Sequence, residues 1–431
     1  MIIKKQDNIR ALLNEVVIPK MVHLRQNFPT TRIEDVAGTL RVKLRERDLQ
    51  NRIRPGMRVV LTGSSRGISN QKIILREVVR FVKECGGIPT IIPAMGSHAG
   101  STAEGQREIL TDYGITEEFC ECEIFSSMQT LQTGSTPDGL QVFMDRFAAQ
   151  SDAIIVLGRV KPHTSFRGRY ESGLAKMLSI GLGKQKGADS LHEAGFGVFD
   201  ERIPAFARVV LANNPVIFGV ALVENALDET CRIDVLKSED ILEQEPAILE
   251  FAKSQMARIL IPETDVLIVR EIGKNISGTG MDPNITGTWS TPYGSGGIRK
   301  QRTVVLDISD ETHGNMIGLG KAETTTLRAF NKIDFTTSYP NALTTTVITP
   351  CVIPMVLETD AMAIKAAIKT CTGIDKHNIR IVFIKNTKHL SEIFVSEALL
   401  EEARHTSGIE ILEGPRPLRF DPEENLLDFQ S

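Results

Sequence analysis

"MRVVLTGSSRGISNQKIILREVVRFVKECGG", residues 57–87, decides the fold class. Its first seven residues hold the continuous apolar run of a buried strand. From Asn70 onward apolar residues recur at three- and four-residue spacing, and the run stops at two glycines. That is an amphipathic helix with a glycine terminator. Strand, short loop and helix form the repeating unit of a parallel α/β sheet. The alternation continues outward. "IPTIIPA" reads as a strand, and "STAEGQREILTDYG" as a helix capped by Ser101 or Thr102 and ended by Gly114. "DAIIVLGRV" (152–160) is a strand, "IPAFARVVLANN" a helix and "PVIFGVALVEN" a strand. "ETDVLIVREIG" (263–273) opens a second series. It runs through the strand "RTVVLDIS", the helices "KAETTTLRAFNK" and "DAMAIKAAIKTCTG", and the strand "NIRIVFIKNT". The expectation is an α/β protein of two domains, 1–262 and 263–431, each a mainly parallel sheet flanked by helices. The boundary follows the helix "EPAILEFAKSQMARIL".

Composition narrows the function classes. A chain of 431 residues with 41% hydrophobic content has ample material for buried cores. A net charge of −4 gives no general attraction to nucleic acid, and 5% aromatics supply few stacking platforms. No apolar run approaches the roughly 20 residues of a spanning helix. "MIIKKQDNIR" turns polar too early for a signal peptide. Cysteines stand at 85, 120, 122, 231, 351 and 371, with no CxxC pair, so neither a thiolate metal site nor a disulfide framework is expected. A cytoplasmic protein with no nucleic-acid or membrane partner is expected; no motif speaks to its oligomeric state.

The turn "VVLTGSSRGIS" (59–69) resembles the glycine-rich turn of short-chain dehydrogenases. Ser69 stands where that pattern has its third glycine. None of the four tyrosines has a lysine four residues on, so the proton-transfer pair of those enzymes is missing. Three readings stay open: a dinucleotide pyrophosphate at the helix start, a tight turn without ligand, and an anion site built from Arg66 and the loop amides.

Three of the eight histidines lie in glycine-containing loops. His98 follows the strand "IPTIIPA" in "AMGSHAGSTAEG". His163 follows "DAIIVLGRV" in "KPHTS". His192 sits in "ADSLHEAG". Imidazole exchanges protons near neutral pH, and loops past the carboxyl ends of parallel strands are where such sheets place their sites. Each histidine alone reads equally well as a loop cap. Between the second and third, however, runs "VKPHTSFRGRYESGLAKMLSIGLGKQKGA" (160–188), rich in Lys, Arg and Gly and nearly free of acids. Such a stretch suits anionic ligands.

Taken in order, these motifs resemble the nickel-dependent lactate racemase family, whose enzymes use a nickel-pincer nucleotide. "TGSSRG" matches its arginine-bearing first loop at Arg66. "MGSHAGSTAEG" matches the loop of one catalytic histidine, His98. "PHTSFRGRYESGLAKMLSIGLG" matches the second catalytic histidine, His163, and the cofactor lysine, Lys176. "DSLHEAG" matches the metal-ligand histidine, His192. "DVLIVREIGKNISGTGMDPNITG" resembles the opening of the family's second domain. The match spans about residues 55–290.

The resemblance implies an isomerase, a racemase or epimerase inverting C2 of a 2-hydroxy acid, with its site in the cleft between the domains. His98 and His163 would serve as the two proton-transfer groups and His192 as the nickel ligand. Lys176, Gly181, Gly183, Lys184 and Lys186 would hold the nucleotide. Arg66, Arg167, Arg169, Lys274, Asp282 and Asn284 would meet the substrate. Cofactor-synthesis proteins would be needed for loading. Where the lactate enzymes carry an Asp three residues before the arginine, this chain has Gly63. "RGRY" lengthens the segment between His163 and Lys176, and "MDPN" replaces a glutamine-bearing loop. A substrate larger and more polar than lactate, such as a sugar acid, is therefore expected. The competing readings are an NAD(P)-dependent oxidoreductase and a non-catalytic nucleotide- or anion-binding protein.

Overall fold

A computed structural model describes residues 5–65 and 67–429. The chain separates into two compact units, Pro29–Met256 and Met1–Phe28 with Ala257–Ser431.

The 29–256 unit is built on a six-stranded sheet. Its order is Glu123–Ile124, Ile88–Pro93, Arg58–Gly63, Ala153–Arg159, Val216–Glu224 and Thr230–Lys237. The first five strands run parallel and the last is antiparallel. Val59, Val60 and Leu61 are buried, as a strand covered on both faces requires. The helix Gln71–Glu84 turns Ile74, Leu75, Val78, Val79 and Val82 onto the sheet. It ends at Gly86, whose φ of 84° closes the last turn through N–H bonds from Gly86 to Lys83 O and from Gly87 to Val82 O.

The strand order fixes where a ligand belongs. From Arg58–Gly63 the chain first moves to one side, through Ile88–Pro93, and later continues on the other side with Ala153–Arg159. The switch point lies between the strands ending at Gly63 and Arg159. Loops leaving the carboxyl ends around such a point form the usual ligand crevice. His98 and His163 both lie in loops leaving that edge.

The other unit carries an eight-stranded mixed sheet. Met355–Leu357, Thr324–Thr326, Arg302–Val305, Val266–Val269 and Ile381–Ile384 are parallel neighbours. Glu392–Ser396, Met21–Gln26 and Ile409–Arg416 continue the sheet antiparallel. No helix among the described residues is long and apolar enough to cross a membrane.

Two expectations differ from the structure. The unit border falls at Met256/Ala257 and not at 262, and the first 28 residues join the later unit, because Met21–Gln26 pairs with strands on both sides there. "KAETTTLRAFNK" is not one helix. Thr324–Thr326 form a strand, and only Leu327–Asn331 are helical. The three threonines are buried, and their hydroxyls donate to Ala363 O (3.1 Å), Val305 O (2.8 Å) and Leu306 O (2.8 Å). β-Branched side chains with such partners favour the sheet.

Candidate active site

After Arg159 the chain makes a closed loop, pinned where Lys161 and Ser172 exchange backbone hydrogen bonds. Inside it, Glu171 is fully buried. Its carboxylate accepts the His163 N–H at 2.6 Å and Arg167 Nη1 at 3.2 Å, and it pairs with Lys253 at 3.3 Å. Glu171 thus anchors the histidine loop. The chain then enters Leu174–Lys176, which continues as a π-helical turn, Met177–Gly181. Such bulges recur at functional sites. The buried carboxyl of Glu245 accepts the Ala175 N–H at 2.9 Å and holds the start of this turn. A Cβ on Gly173 would come within 2.5 Å of Glu245 Oε1, so a larger residue there would displace the Glu245 carboxyl.

This scaffold places Lys176 Nζ 2.7 Å from His163 Nε2. His163 Nδ1 accepts the Ser165 N–H at 3.0 Å. A neutral ring with Nδ1 as acceptor carries its proton on Nε2. A ring so protonated has no lone pair left for the Lys176 ammonium, so Ser165 and Lys176 compete for its one acceptor nitrogen. Burial above all, and next the charge of Lys176, hold the His163 imidazole well below its usual range. The ring packs on Phe166 at 4.5 Å between centroids and lies 6.0 Å from Phe196.

His192 ends the helix Lys184–His192 and joins the same aromatic cluster, edge-on to Phe196 at 5.3 Å and Phe199 at 4.8 Å. Burial and then Lys176 push its pKa down to about 4, so the ring is neutral at pH 7. Its Nδ1 is buried without a hydrogen-bond partner. Such an orphan costs about 1–3 kcal/mol unless a ligand satisfies it.

His98 is held differently. Its Nδ1 lies 2.6 Å from the Met95 carbonyl and must donate, which leaves Nε2 as the basic nitrogen. Gln106, fully buried, donates to Gly96 O and His98 O at 2.9 and 3.3 Å. The Gly96 N–H bonds Gly181 O at 3.2 Å, so the His98 loop rests on the π-helical turn that follows Lys176. Ala99 and Ser101 next to it adopt φ of 55° and 59°, a strained geometry typical of sites.

His163, Lys176 and His192 thus share one neighbourhood, with the His98 loop packed on the same segment. The other expected ligand-binding residues fare differently. Lys184 is fully buried: its ammonium donates to Pro93 O at 2.5 Å and pairs with Asp145 at 3.3 Å, so it braces the sheet edge and is not offered to a phosphate. Gly181 and Gly183 are there for close packing; a Cβ would come within 2.8 Å of Ala94 O at the first and 2.9 Å of Ser179 O at the second. Lys186 is exposed, its Nζ 4.2 Å over the Phe143 ring. Arg167 spends its guanidinium on Glu171 and the His163 carbonyl. Arg169 is exposed, its guanidinium 5.7 Å from the Tyr170 ring centroid. Arg66 lies outside the described residues. Beside it, the Ser69 N–H at the helix start bonds Glu224 at 2.6 Å, which puts a carboxylate where a dinucleotide phosphate would sit. In the other unit, Lys274 folds back to Gly278 O at 3.0 Å, and Asp282 accepts from Asn284 Nδ2 at 2.7 Å.

Sequence reasoning missed Glu171, Glu245 and the phenylalanine cluster. Glu171 had a signal, as an isolated acid inside a basic stretch. Among the described residues, no group of three or more His, Cys, Asp or Glu can hold a metal. A metal at His192 would need its remaining donors from a cofactor, and one orphaned imidazole in an aromatic wall fits that requirement.

Residues 6–200 match the family profile of the lactate racemase N-terminal domain. Among solved structures, the lactate racemase apoprotein of Thermoanaerobacterium thermosaccharolyticum is similar in fold, with a TM-score of 0.53 at 14% identity over 86% of this chain and 99% of that one. A Thermotoga maritima protein aligns with a TM-score of 0.48 at 13% identity, over 65% of this chain and 72% of that one. No curated protein sequence matches the chain.

Proposed function

We propose that this protein, whose residues 6–200 match the lactate racemase N-terminal domain, inverts C2 of a 2-hydroxy acid with a nickel-pincer nucleotide. The observation that carries the reading is the grouping of Lys176, His163 and the orphaned His192 nitrogen on one aromatic wall. When bound, the cofactor supplies the hydride-accepting ring and the other nickel donors. Lys176 holds it and His192 ligates the metal. His98, with Nε2 basic, takes the proton of the substrate hydroxyl. His163 exchanges a proton at Nε2 once the Lys176 contact there yields. Phe166, Phe196 and Phe199 exclude water from that side.

The substrate we propose is larger and more polar than lactate. Arg167, Lys274, Asp282 and Asn284 bond within their own loops, so they support this less than the sequence promised. Arg169 supports it: its guanidinium is exposed in the lengthened loop and forms no ion pair among the described residues. The test is a panel assay on protein co-expressed with the cofactor-synthesis proteins, following chirality and deuterium exchange at C2 of lactate, malate and several aldonates. Turnover of an aldonate above lactate is expected. Fastest turnover of lactate refutes the substrate class, and no exchange with any acid in nickel-loaded protein refutes the racemase reading.

A further inference from the structure

In the unit formed by 1–28 and 257–431, the chain between Thr286 and Arg302 follows a tight course. Gly287 and Gly297 adopt φ of 67° and 84°, and a Cβ on Gly297 would lie 2.2 Å from Gly287 N. Trp289 donates Nε1–H to Gly296 O at 3.1 Å. A cavity of about 510 Å³ opens beside this strap, lined by Gly287, Gly296, Gly297, Ile298, Arg299 and Lys300.

Its wall is rich in unused donors. Among the described residues, the main-chain N–H groups of Gly296, Gly297 and Lys300 meet no acceptor, and the Lys300 ammonium has no hydrogen bond or ion pair. Arg299 is committed to Glu263 at 2.8 Å. Among the described residues, the ammonium of Lys321, only 5% exposed, donates to Met281 O alone, at 3.3 Å. Two acids lie near them without an ion pair: Asp282, which also accepts the Asn284 N–H at 2.9 Å, and Glu323, which also accepts the Thr303 N–H at 2.6 Å. Burial, opposed by Glu323, pulls the Lys300 ammonium down to about 8. Burial, with repulsion from Lys300 and against the pull of Asp282, does the same to Lys321. Two cations with no ion pair among the described residues, beside the solvent-facing amides of Gly296 and Gly297, offer an anion its donors. Lys300 precedes Arg302–Val305 and Lys321 precedes Thr324–Thr326, so both stand at the amino ends of parallel strands. Substrates of α/β folds gather at the opposite ends.

We propose that this corner binds a small dianion, a phosphate ester or a dicarboxylate, through the Lys300 ammonium and the Gly296 and Gly297 amides, with Lys321 behind them. The site is independent of the racemase reading, and its test uses the purified full chain without cofactor. Inorganic phosphate and succinate are titrated by calorimetry at pH 7. Saturable binding of at least one is expected, weakened about tenfold or more by Lys300→Met, as loss of one charge-assisted contact implies. Lys369→Met, an exposed lysine of the same unit, should leave it unchanged. Tighter phosphate identifies a phosphate ester, and tighter succinate a dicarboxylate. No saturable binding of either, or equal weakening by Lys300→Met and Lys369→Met, overturns the proposal.

Discussion

Lys176 Nζ stands 2.7 Å from His163 Nε2, on a ring whose other nitrogen already accepts the Ser165 N–H. His98 is set with its proton on Nδ1, whereas His163 faces a donor at each ring nitrogen. Nitrogen-15 spectra of the histidine rings should show this difference in the cofactor-free protein. Removing the lysine charge should ease protonation of both neighbours, so Lys176→Met raises the pKa of His163 and of His192, which starts at about 4. Burial remains the larger cause, so neither should reach 6.5. Unchanged titration of both rings in the variant would show that Lys176 does not govern them.

His192→Ala should abolish nickel retention in cofactor-loaded protein while the fold survives. It should also flatten the acid limb of stability. The folded ring binds its proton less readily than the unfolded chain does, so stability falls as pH drops from about 6.5 to about 4. The loss is at most about 3 kcal/mol by pH 4. Metal analysis and acid-dependent melting check both; full nickel occupancy in the variant would remove His192 from the metal site.

Glu245 makes the opposite pH prediction. Burial raises its carboxyl to about 7, against the pull of the Ala175 and Leu174 N–H groups. The fold therefore favours the protonated acid: this stability is full below the unfolded pKa of about 4.5 and lost as pH rises through 7. Glu245→Gln should raise the melting temperature relative to the parent at pH 8 and much less at pH 5. Equal effects at both pH values would mean that the carboxyl ionises freely.

His98→Ala and His163→Ala should each slow interconversion in both directions by about 10²–10⁴-fold, because every turnover uses both faces of C2. Kinetics with each enantiomer of a turned-over substrate, on variants that retain cofactor, decide the matter. Near-normal turnover by either variant would show that its histidine is not a proton-transfer group.

Lys184→Met should cost stability and not cofactor affinity. It leaves Asp145, 1% exposed, without its cation. Losing one member of a buried pair costs about 3–5 kcal/mol. A stable variant with weakened nucleotide binding would return Lys184 to the ligand.

The parallel sheets and the placement of His98 and His163 were legible because strand and helix periods are local properties. Lys184 was not, because its partners Asp145 and Pro93 are brought to it by the fold. A lysine in a basic run looks free until its surroundings are known. Thr324–Thr326 misled for a related reason: what commits three threonines to a strand is the line of carbonyls they meet. Glu245 lies far along the chain from the turn it holds, so no spacing pattern links them.

Met21–Gln26 finds its neighbours only in Glu392–Ser396 and Ile409–Arg416. That strand therefore waits for partners made much later than itself. The histidine-bearing unit, with every strand of its sheet inside 29–256, is complete long before. Synthesis order then gives a nascent chain with a finished histidine-bearing unit and an unpaired strand exposed ahead of it. Removing residues 21–26 would spare that unit and injure the sheet of the other.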